Sequence, residues 1–241
     1  MVFAMKRILA LLVAGMLATG ANAQSGETIT YDITIAGFRT AVLGVSAIEE
    51  ENRYAVAGKI EITGIAALFR SIEINARSRG QRSGSEFVPT HFTEVNDNGR
   101  RVRTITMEFS RGVPQNVTFD PPRTPKPFDL DPSTQRNATD PMTAIWELLR
   151  PGPRAAACTL DVSVFDGRRR NQVRIDTVED FGDRVVCSGE FARVAGFSPE
   201  SLAERSGFPF QLTYTELDNG QWAADRIVFQ AKFGRAEISR R

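Results

Sequence analysis

Chemically reactive side chains are scarce in this chain of 241 residues, which has one histidine, His91, and two cysteines, Cys158 and Cys187. One histidine and two cysteines cannot complete a tetrahedral zinc site, so we expect no metal and no cofactor. A hydrolase would need a nucleophile held by a histidine, but the G-x-S-x-G motif is absent. We therefore interpret His91 as a strand histidine without a chemical task and assign no catalytic residue. A hydrolase stays a minor alternative, and it would require a polar cleft around His91.

Neither sign of charge is in excess, because 30 Lys and Arg residues face 29 Asp and Glu residues, for a formal net charge of +1. Nucleic-acid binding depends on an excess of cations, so no nucleic-acid partner is expected. Aromatic residues with a polar tip are also few, with 3 Tyr and 2 Trp against 16 Phe. This bias favours an apolar interior, either a packed core or a ligand cavity.

Long apolar runs are absent except near the N-terminus, where Lys6 and Arg7 precede the apolar segment Ile8–Leu17 and then Ala21-Asn22-Ala23. A basic segment, a short apolar segment and an A-x-A site are typical of a secretory signal peptide. The apolar segment is shorter than the ~20 residues that span a bilayer. We expect residues 1–23 to be removed, with cleavage after Ala23, and the mature protein to be periplasmic. No cysteine lies at the cleavage point for lipidation, and no later run is apolar enough to span as a helix.

The two cysteines are 29 positions apart, and in an exported chain two cysteines most often form one disulfide. A metal pair or a redox pair is less favoured, because there is no C-x-x-C spacing. If both residues lay on strands two apart in a flat sheet, they would be about 10 Å from each other, whereas a disulfide needs Cα atoms within roughly 7 Å. Either the sheet is strongly bent there, or Cys158 lies before its strand.

Alternation of apolar and polar residues dominates the chain after the signal peptide. Ile29, Tyr31, Ile33 and Ile35 share one face of the first predicted strand. Such alternation indicates antiparallel strands with one buried face. Asn96–Gly99 and Asp218–Gly220 predict hairpin turns.

The pattern breaks in the middle of the chain. Residues 120–135 contain five prolines, which cannot donate to a strand ladder and favour extended backbone. A helix is predicted over residues 140–150, with Asp140 as N-cap and Pro141 in the first turn. Its apolar stripe (Met142, Ile145, Trp146, Leu149) should lie against a sheet or plug the end of a barrel.

These patterns predict an all-β, mainly antiparallel fold. We expect about a dozen strands in a strongly curved sheet, barrel or spiral, because curling hides strand edges, with one packed α-helix. Residues 24–241 should form a single domain, in which the proline-rich connection and the helix separate two β blocks.

Several short motifs resemble those of an exported proteobacterial family of unknown function, DUF3108. They are Tyr31-Asp32 leading to Gly37, Asp140-Pro141, Phe165–Arg169, Cys187 with Gly189, and Val194–Pro199. The resemblance implies a periplasmic β protein without an assigned reaction, and it supplies no catalytic residues.

Four polar clusters and one apolar loop are candidate sites. Glu49–Glu51 is interpreted as a solvated turn rather than a cation site, and Asp129, Asp131 and Asp140 lack the remaining ligands of a calcium loop. Two groups of arginines could contact lipid headgroups or an acidic partner, although we favour their interpretation as solvated hairpin tips. They are Arg168–Arg170 with Arg174, and Arg100 with Arg101 and Arg103. The apolar connection Gly64–Phe69 either covers the core or contacts an apolar ligand.

The export signal, the phenylalanine-rich alternation and the lack of catalytic motifs lead to one functional hypothesis. We expect a non-enzymatic envelope protein that holds a hydrophobic or lipid-like ligand in its concave face. The alternative is an interaction module that binds envelope proteins through residues 120–135 or an exposed strand edge. No residue can be assigned to ligand binding from the sequence.

Overall fold

The computed structural model of the protein describes residues 26–64, 67 and 72–241. The expected signal peptide, residues 1–23, lies outside the described residues. Seven strands precede the proline-rich connection: β1 (Glu27–Ile35), β2 (Phe38–Glu49), β3 (Arg53–Ile62), β4 (Glu73–Ser83), β5 (Glu86–Asp97), β6 (Val102–Ser110) and β7 (Val113–Asp120). Seven follow it: β8 (Ala138–Thr139), β9 (Asp161–Phe165), β10 (Arg170–Asp180), β11 (Arg184–Ala195), β12 (Gly207–Glu216), β13 (Trp222–Ala231) and β14 (Gly234–Arg240).

The strands form one sheet in the order β7-β6-β5-β4-β3-β2-β1-β14-β13-β12-β11-β10-β9-β8. Neighbouring strands are antiparallel, except for the short parallel pair β8–β9. Both predicted β blocks belong to this sheet, which curls into a nearly closed barrel. The predicted all-β fold is confirmed.

The sheet curls until its first and second halves touch. A Cβ atom added at Gly167, in the turn between β9 and β10, would lie 3.2 Å from Val117 Cγ1 of β7 and 3.4 Å from Ile105 Cγ2 of β6. The backbone N–H of Leu130, in the proline-rich connection, donates to the Arg168 carbonyl at 2.9 Å. Side chains and this connection therefore bring together the two margins of the sheet.

The described part of the chain contains two α-helices, α1 (Pro141–Leu149) and α2 (Pro199–Glu204). Neither is long and apolar enough to cross a bilayer. Helix α1 packs against β3, β4, β5, β9 and β13, with Met142, Trp146 and Leu149 at 1%, 1% and 2% exposure. A Cβ at Gly58 would lie 2.6 Å from Met142 Sδ, so α1 and β3 approach closely at this glycine, and a larger residue there would displace the Met142 side chain.

Helix α1 fills one end of the curled sheet. Trp146 Nε1 donates to Glu49 Oε1 at 2.6 Å, at the point where β2 ends. Tyr214 Oη donates to the Leu148 carbonyl at 2.9 Å. We call this end, where β2 ends at Glu49 and β3 begins at Arg53, the closed end. The opposite end, with turns at Ala36-Gly37 and Asn98–Arg101, is the open end.

A buried carboxylate starts the helix in the middle of the interior. Asp140 is fully buried, and its Oδ1 accepts from the backbone N–H groups of Met142 and Thr143 at 2.9 and 3.0 Å. Its Oδ2 accepts from Ser78 Oγ and Thr143 Oγ1, each at 2.7 Å. Tyr54 Oη lies 2.7 Å from Thr143 Oγ1, and burial raises the pKa of the Tyr54 phenol, which keeps it protonated. This network attaches the helix N-terminus to β3 and β4.

Replacing Asp140 should therefore cost much more than replacing an exposed capping residue. We expect Asp140→Ala to lower the free energy of unfolding by about 3 kcal/mol or more, because the cap and the acceptors of two buried hydroxyls are lost together. Asp131→Ala is the matched control, since Asp131 caps the exposed 3-10 turn Pro132–Thr134, and should cost about 1 kcal/mol or less. Equal losses in urea unfolding would contradict the network's role.

The disulfide joins Cys158 to Cys187, with Cα atoms 5.7 Å apart. Cys187 lies in β11, whereas Cys158 lies in the connection before β9, which begins at Asp161. The second of the two arrangements expected from the sequence is therefore the one observed. Both residues are buried, so the bridge fixes the chain that leaves α1 to β11.

Reduction of this bridge should lower the Tm by several degrees, since closing such a loop stabilises a fold by roughly 3 kcal/mol. The measurement is a thermal melt with and without dithiothreitol, with thiol titration to confirm complete reduction. A Cys158→Ala/Cys187→Ala variant should melt at one temperature in both buffers. An unchanged Tm after complete reduction of the wild-type protein would show that the bridge is not stabilising.

Candidate functional site

The inner surface of the sheet changes character between its two ends. At the closed end, inner side chains such as Tyr54, Val56 and Phe87 are buried on β3 and β5, against which α1 packs. Towards the open end the same strand faces stay apolar but are only partly buried, at Ile33, Ile60, Ala76, Phe210, Phe229 and Ile238. Since alternate residues of a strand share a face, Ile33 lies on the inner face with the fully buried Tyr31.

Strand pairing places these residues side by side. Ile33 is opposite Ile238, Phe229 is opposite Phe210, and Ile60 is opposite Ile74. They form a concave apolar surface that runs over strands from both β blocks. We call this surface the apolar cup, and it is the first candidate site because a partly exposed apolar concavity suits a hydrophobic ligand.

Three arginines from the two predicted cationic hairpin tips come together at the rim of the open end. Arg101, Arg103 and Arg168 line one cavity of about 470 Å³ beside the proline-rich connection. The other arginines of these groups lie elsewhere. Arg169 lies 4.9 Å from the Phe197 ring, and Arg174 pairs with Asp176 at 2.7 Å.

The acidic candidates are separated and have structural partners. Asp129 pairs with Arg123 at 2.6 Å, Asp131 caps a 3-10 turn, and Asp140 caps α1. Glu49 differs from the predicted solvated turn, because it accepts from Trp146 and pairs with Arg82 at 3.3 Å. Within the described residues, no three acidic, histidine or cysteine side chains cluster as metal ligands.

His91 lies on the outer face of the sheet, away from the apolar cup. It lines a shallow groove of about 580 Å³ whose exposed surface is mainly apolar, with Ile48, Ala55 and Ala57 on one side and Arg77 and Arg79 beside the histidine. Its Nε2 is 3.1 Å from Thr93 Oγ1, its side-chain hydrogen-bond partner in the described structure. The groove is therefore not the polar cleft that a hydrolase centred on His91 would require.

The apolar connection Gly64–Phe69 follows β3 at the open end. Its residues Ile65, Ala66, Leu68 and Phe69 lie outside the described residues. The interpretation of this connection as a core cover or a ligand contact therefore stays a prediction.

Comparison with known proteins identifies the family. A family model described as "Protein of unknown function (DUF3108)" matches residues 28–222. The chain belongs to the DUF3108 family. No curated protein and no solved structure matches it.

The DUF3108 match ends at Trp222, the first residue of β13. The following strands β13 and β14 nevertheless lie in the middle of the sheet, where they connect β12 to β1. This part of the chain supplies Phe229 and Ile238 to the apolar cup. Sequence beyond the matched region is therefore needed to join the two β blocks.

A second cavity of this DUF3108 protein, of about 230 Å³, lies at the closed end and is lined by Glu147, Arg150, Asp161 and Tyr214, among others. Burial raises the pKa of Glu147 to about 7, against the opposing effect of Arg150. The Arg150 guanidinium is 5.0 Å from the centre of the Phe87 ring. Sequence reasoning missed this acid, because only the packing of α1 shows that it is desolvated.

The raised pKa of Glu147 predicts a specific pH dependence. An acid whose pKa rises from 4.5 to about 7 on folding binds its proton more tightly in the folded state. Its contribution therefore favours folding at low pH and is lost as the pH rises towards 7. We expect Glu147→Gln to be more stable than the wild type at about pH 8, by on the order of 1–3 kcal/mol, and to differ little near pH 4.

Urea unfolding at several pH values between about 4 and 8 measures this difference. The matched control is Glu179→Gln, because Glu179 is exposed on β10. Parallel stability curves for the wild type, Glu147→Gln and Glu179→Gln would contradict the assignment.

Proposed function

We propose that this DUF3108 protein is a non-enzymatic periplasmic envelope protein that holds a hydrophobic or lipid-like ligand in the apolar cup. The single observation that carries the proposal is the contrast along one inner surface. Apolar side chains are buried by α1 at the closed end and remain partly exposed at the open end. Removing apolar surface from water is favourable by about 25 cal/mol per Å². A ligand in the cup would therefore gain the same kind of hydrophobic free energy that α1 gains at the closed end.

The chemistry of the cup favours binding over catalysis. Its surface consists mainly of methyl, methylene and phenyl groups from isoleucine, alanine and phenylalanine. Such groups give affinity for hydrocarbon but hold no proton to transfer and no lone pair to attack a substrate. The ligand would keep its covalent structure.

The location rests on two separate features. The N-terminal sequence has the layout of a signal peptide, and the buried disulfide suits an oxidising compartment. A periplasmic carrier or holder of an envelope amphiphile agrees with both.

The alternative function, an interaction module acting through residues 120–135, has weaker support. This connection is engaged by its own protein, because Arg123 pairs with Asp129 at 2.6 Å and Leu130 packs against the core. Deleting it would remove these contacts as well as any binding epitope. A pull-down from envelope extract would distinguish the two functions better with surface substitutions at Pro125 and Pro127 than with a deletion.

Protein purified from its own periplasm should carry a bound amphiphile. Native mass spectrometry should show an added mass of lipid size, and solvent extraction should recover the molecule. Release on denaturation, together with the loss of the added mass, is the expected control. A protein that is ligand-free under gentle purification and binds no apolar probe would overturn the proposal.

A substitution inside the cup should weaken binding without unfolding the protein. We expect Ile60→Gln to weaken binding of the neutral fluorophore N-phenyl-1-naphthylamine about tenfold, because it places an amide on the apolar surface. Its cost in stability should be about 1–2 kcal/mol, since Ile60 is only partly buried. Glu61→Gln, the adjacent exposed residue of β3, is the control and should bind like the wild type. Equal affinities for both variants would place the probe outside the cup.

A further inference from the structure

The cavity at the rim of the open end lies where the two margins of the sheet meet. It is bounded by the ends of β5, β6 and β7 and by the proline-rich connection, and its volume is about 470 Å³. Ile105 and Phe119 form part of its wall, and Ile105 also packs against the hydrophobic core. The cavity therefore has a polar side at the rim and an apolar side towards the interior.

Cations outnumber anions in this cavity. Among the described residues, its walls carry five cations, of which Arg123 is paired with Asp129, against the two carboxylates of Glu94 and Asp120. The four other cations are Arg101, Arg103, Lys126 and Arg168. A positive cavity beside low-dielectric walls concentrates anions more strongly than an open cationic surface does.

One of these guanidinium groups has an unused donor. Arg168 Nε is buried and has no hydrogen-bond partner among the described residues. A buried N–H without an acceptor costs about 1–3 kcal/mol, and guanidinium groups match carboxylate and phosphate oxygens in geometry. The cationic wall of the cavity, with Arg168 in it, therefore suits an oxyanion ligand.

Glu94, an acid in the wall that interacts with Arg168, is poorly suited to supply that acceptor itself. Burial raises the pKa of Glu94 and Asp166 raises it further, while a hydrogen bond from Asn96 and the charge of Arg168 oppose the rise. A group that is costly to ionise in place competes weakly with an external anion for the guanidinium.

We propose that this cavity binds the phosphate or carboxylate headgroup of an amphiphile whose hydrocarbon chain lies in the apolar cup. The choice of amphiphile rests on the proposed function, whereas the oxyanion site rests on the cavity alone. The predicted ligand has one end that is anionic and one end that is hydrocarbon, because the rim and the interior offer those two surfaces side by side.

Three probes separate the two parts of the proposal: decyl phosphate, 1-decanol and inorganic phosphate. Titration calorimetry at constant ionic strength, below the micelle concentration, should show decyl phosphate binding at least about tenfold more tightly than 1-decanol, as expected for charge-assisted hydrogen bonds. Raising the salt concentration should weaken the binding of decyl phosphate but not the binding of 1-decanol, because the alcohol carries no charge to be screened.

The variants are Arg101→Gln/Arg103→Gln and Arg168→Gln, and the matched control is Arg100→Gln in the same hairpin turn. Arg101 and Arg103 are exposed, so the double variant should fold even if the Arg168 variant does not. We expect the double variant and Arg168→Gln to bring the affinity for decyl phosphate close to that for 1-decanol. Arg100→Gln should bind both probes like the wild type.

Each result has a defined meaning. If inorganic phosphate binds and the same substitutions weaken its binding, a free oxyanion is an additional ligand of the site. If only decyl phosphate binds, the site recognises a headgroup that is attached to a hydrocarbon chain. Variant-sensitive phosphate binding without any binding of 1-decanol or N-phenyl-1-naphthylamine supports the oxyanion site and overturns the apolar cup. Equal affinities for decyl phosphate and 1-decanol, or equal decyl phosphate affinities in all variants, overturn the oxyanion site, and the apolar cup then stands only if 1-decanol binds.

Discussion

The interior of the curled sheet is longer than the helix that fills it, and both the closed end and the apolar cup follow from this mismatch. Helix α1 has nine residues and rises about 13 Å, whereas the twelve residues of β2 extend over about 40 Å. The inner face of β2 stays apolar from Ala41 to Ala47. One short helix can cover only part of that face, so the remainder has to be covered by neighbouring strands, by other chain segments or by a ligand.

The position of the helix is decided by polar groups rather than by its apolar stripe. A stripe of methionine, tryptophan and leucine would pack against any part of an apolar sheet, because the hydrophobic effect has no direction. Asp140 has partners at one place only, where Ser78 of β4 and Tyr54 of β3 meet Thr143. Moving the helix towards the open end would leave a buried carboxylate and several hydroxyls without partners. The buried network therefore leaves the open end free of the helix.

The sequence allowed the prediction of the strands and the helix because each depends on a local pattern. It allowed the prediction of the curled sheet because a sheet of so many strands hides its edges by curling. Alternation fixed the inner faces, and Asp140-Pro141 fixed the start of α1. The same patterns could not show that Glu49 accepts from Trp146, since that contact joins residues 97 positions apart. Nor could they show that Arg101 and Arg168 share a cavity, because two hairpin tips meet only when the sheet has curled. The apolar cup could not be predicted for a similar reason. Which inner side chains stay partly exposed depends on which part of the sheet α1 covers.

The two ends of the protein are held by different kinds of interaction, and this difference affects how a ligand would act. At the closed end, three contacts fix the chain that leaves α1. They are the disulfide, the backbone hydrogen bonds between Gly152 and Trp222, and the Arg154 guanidinium, which lies 4.2 Å from the centre of the Trp222 ring. These contacts are internal to the chain and present in every folded molecule. At the open end burial is incomplete, so its stability would depend on the concentration of whatever fills the cup. A ligand that binds only the folded state adds RT ln(1 + [L]/Kd) to the free energy of unfolding. An amphiphile would therefore complete at the open end the apolar burial that α1 provides permanently at the closed end.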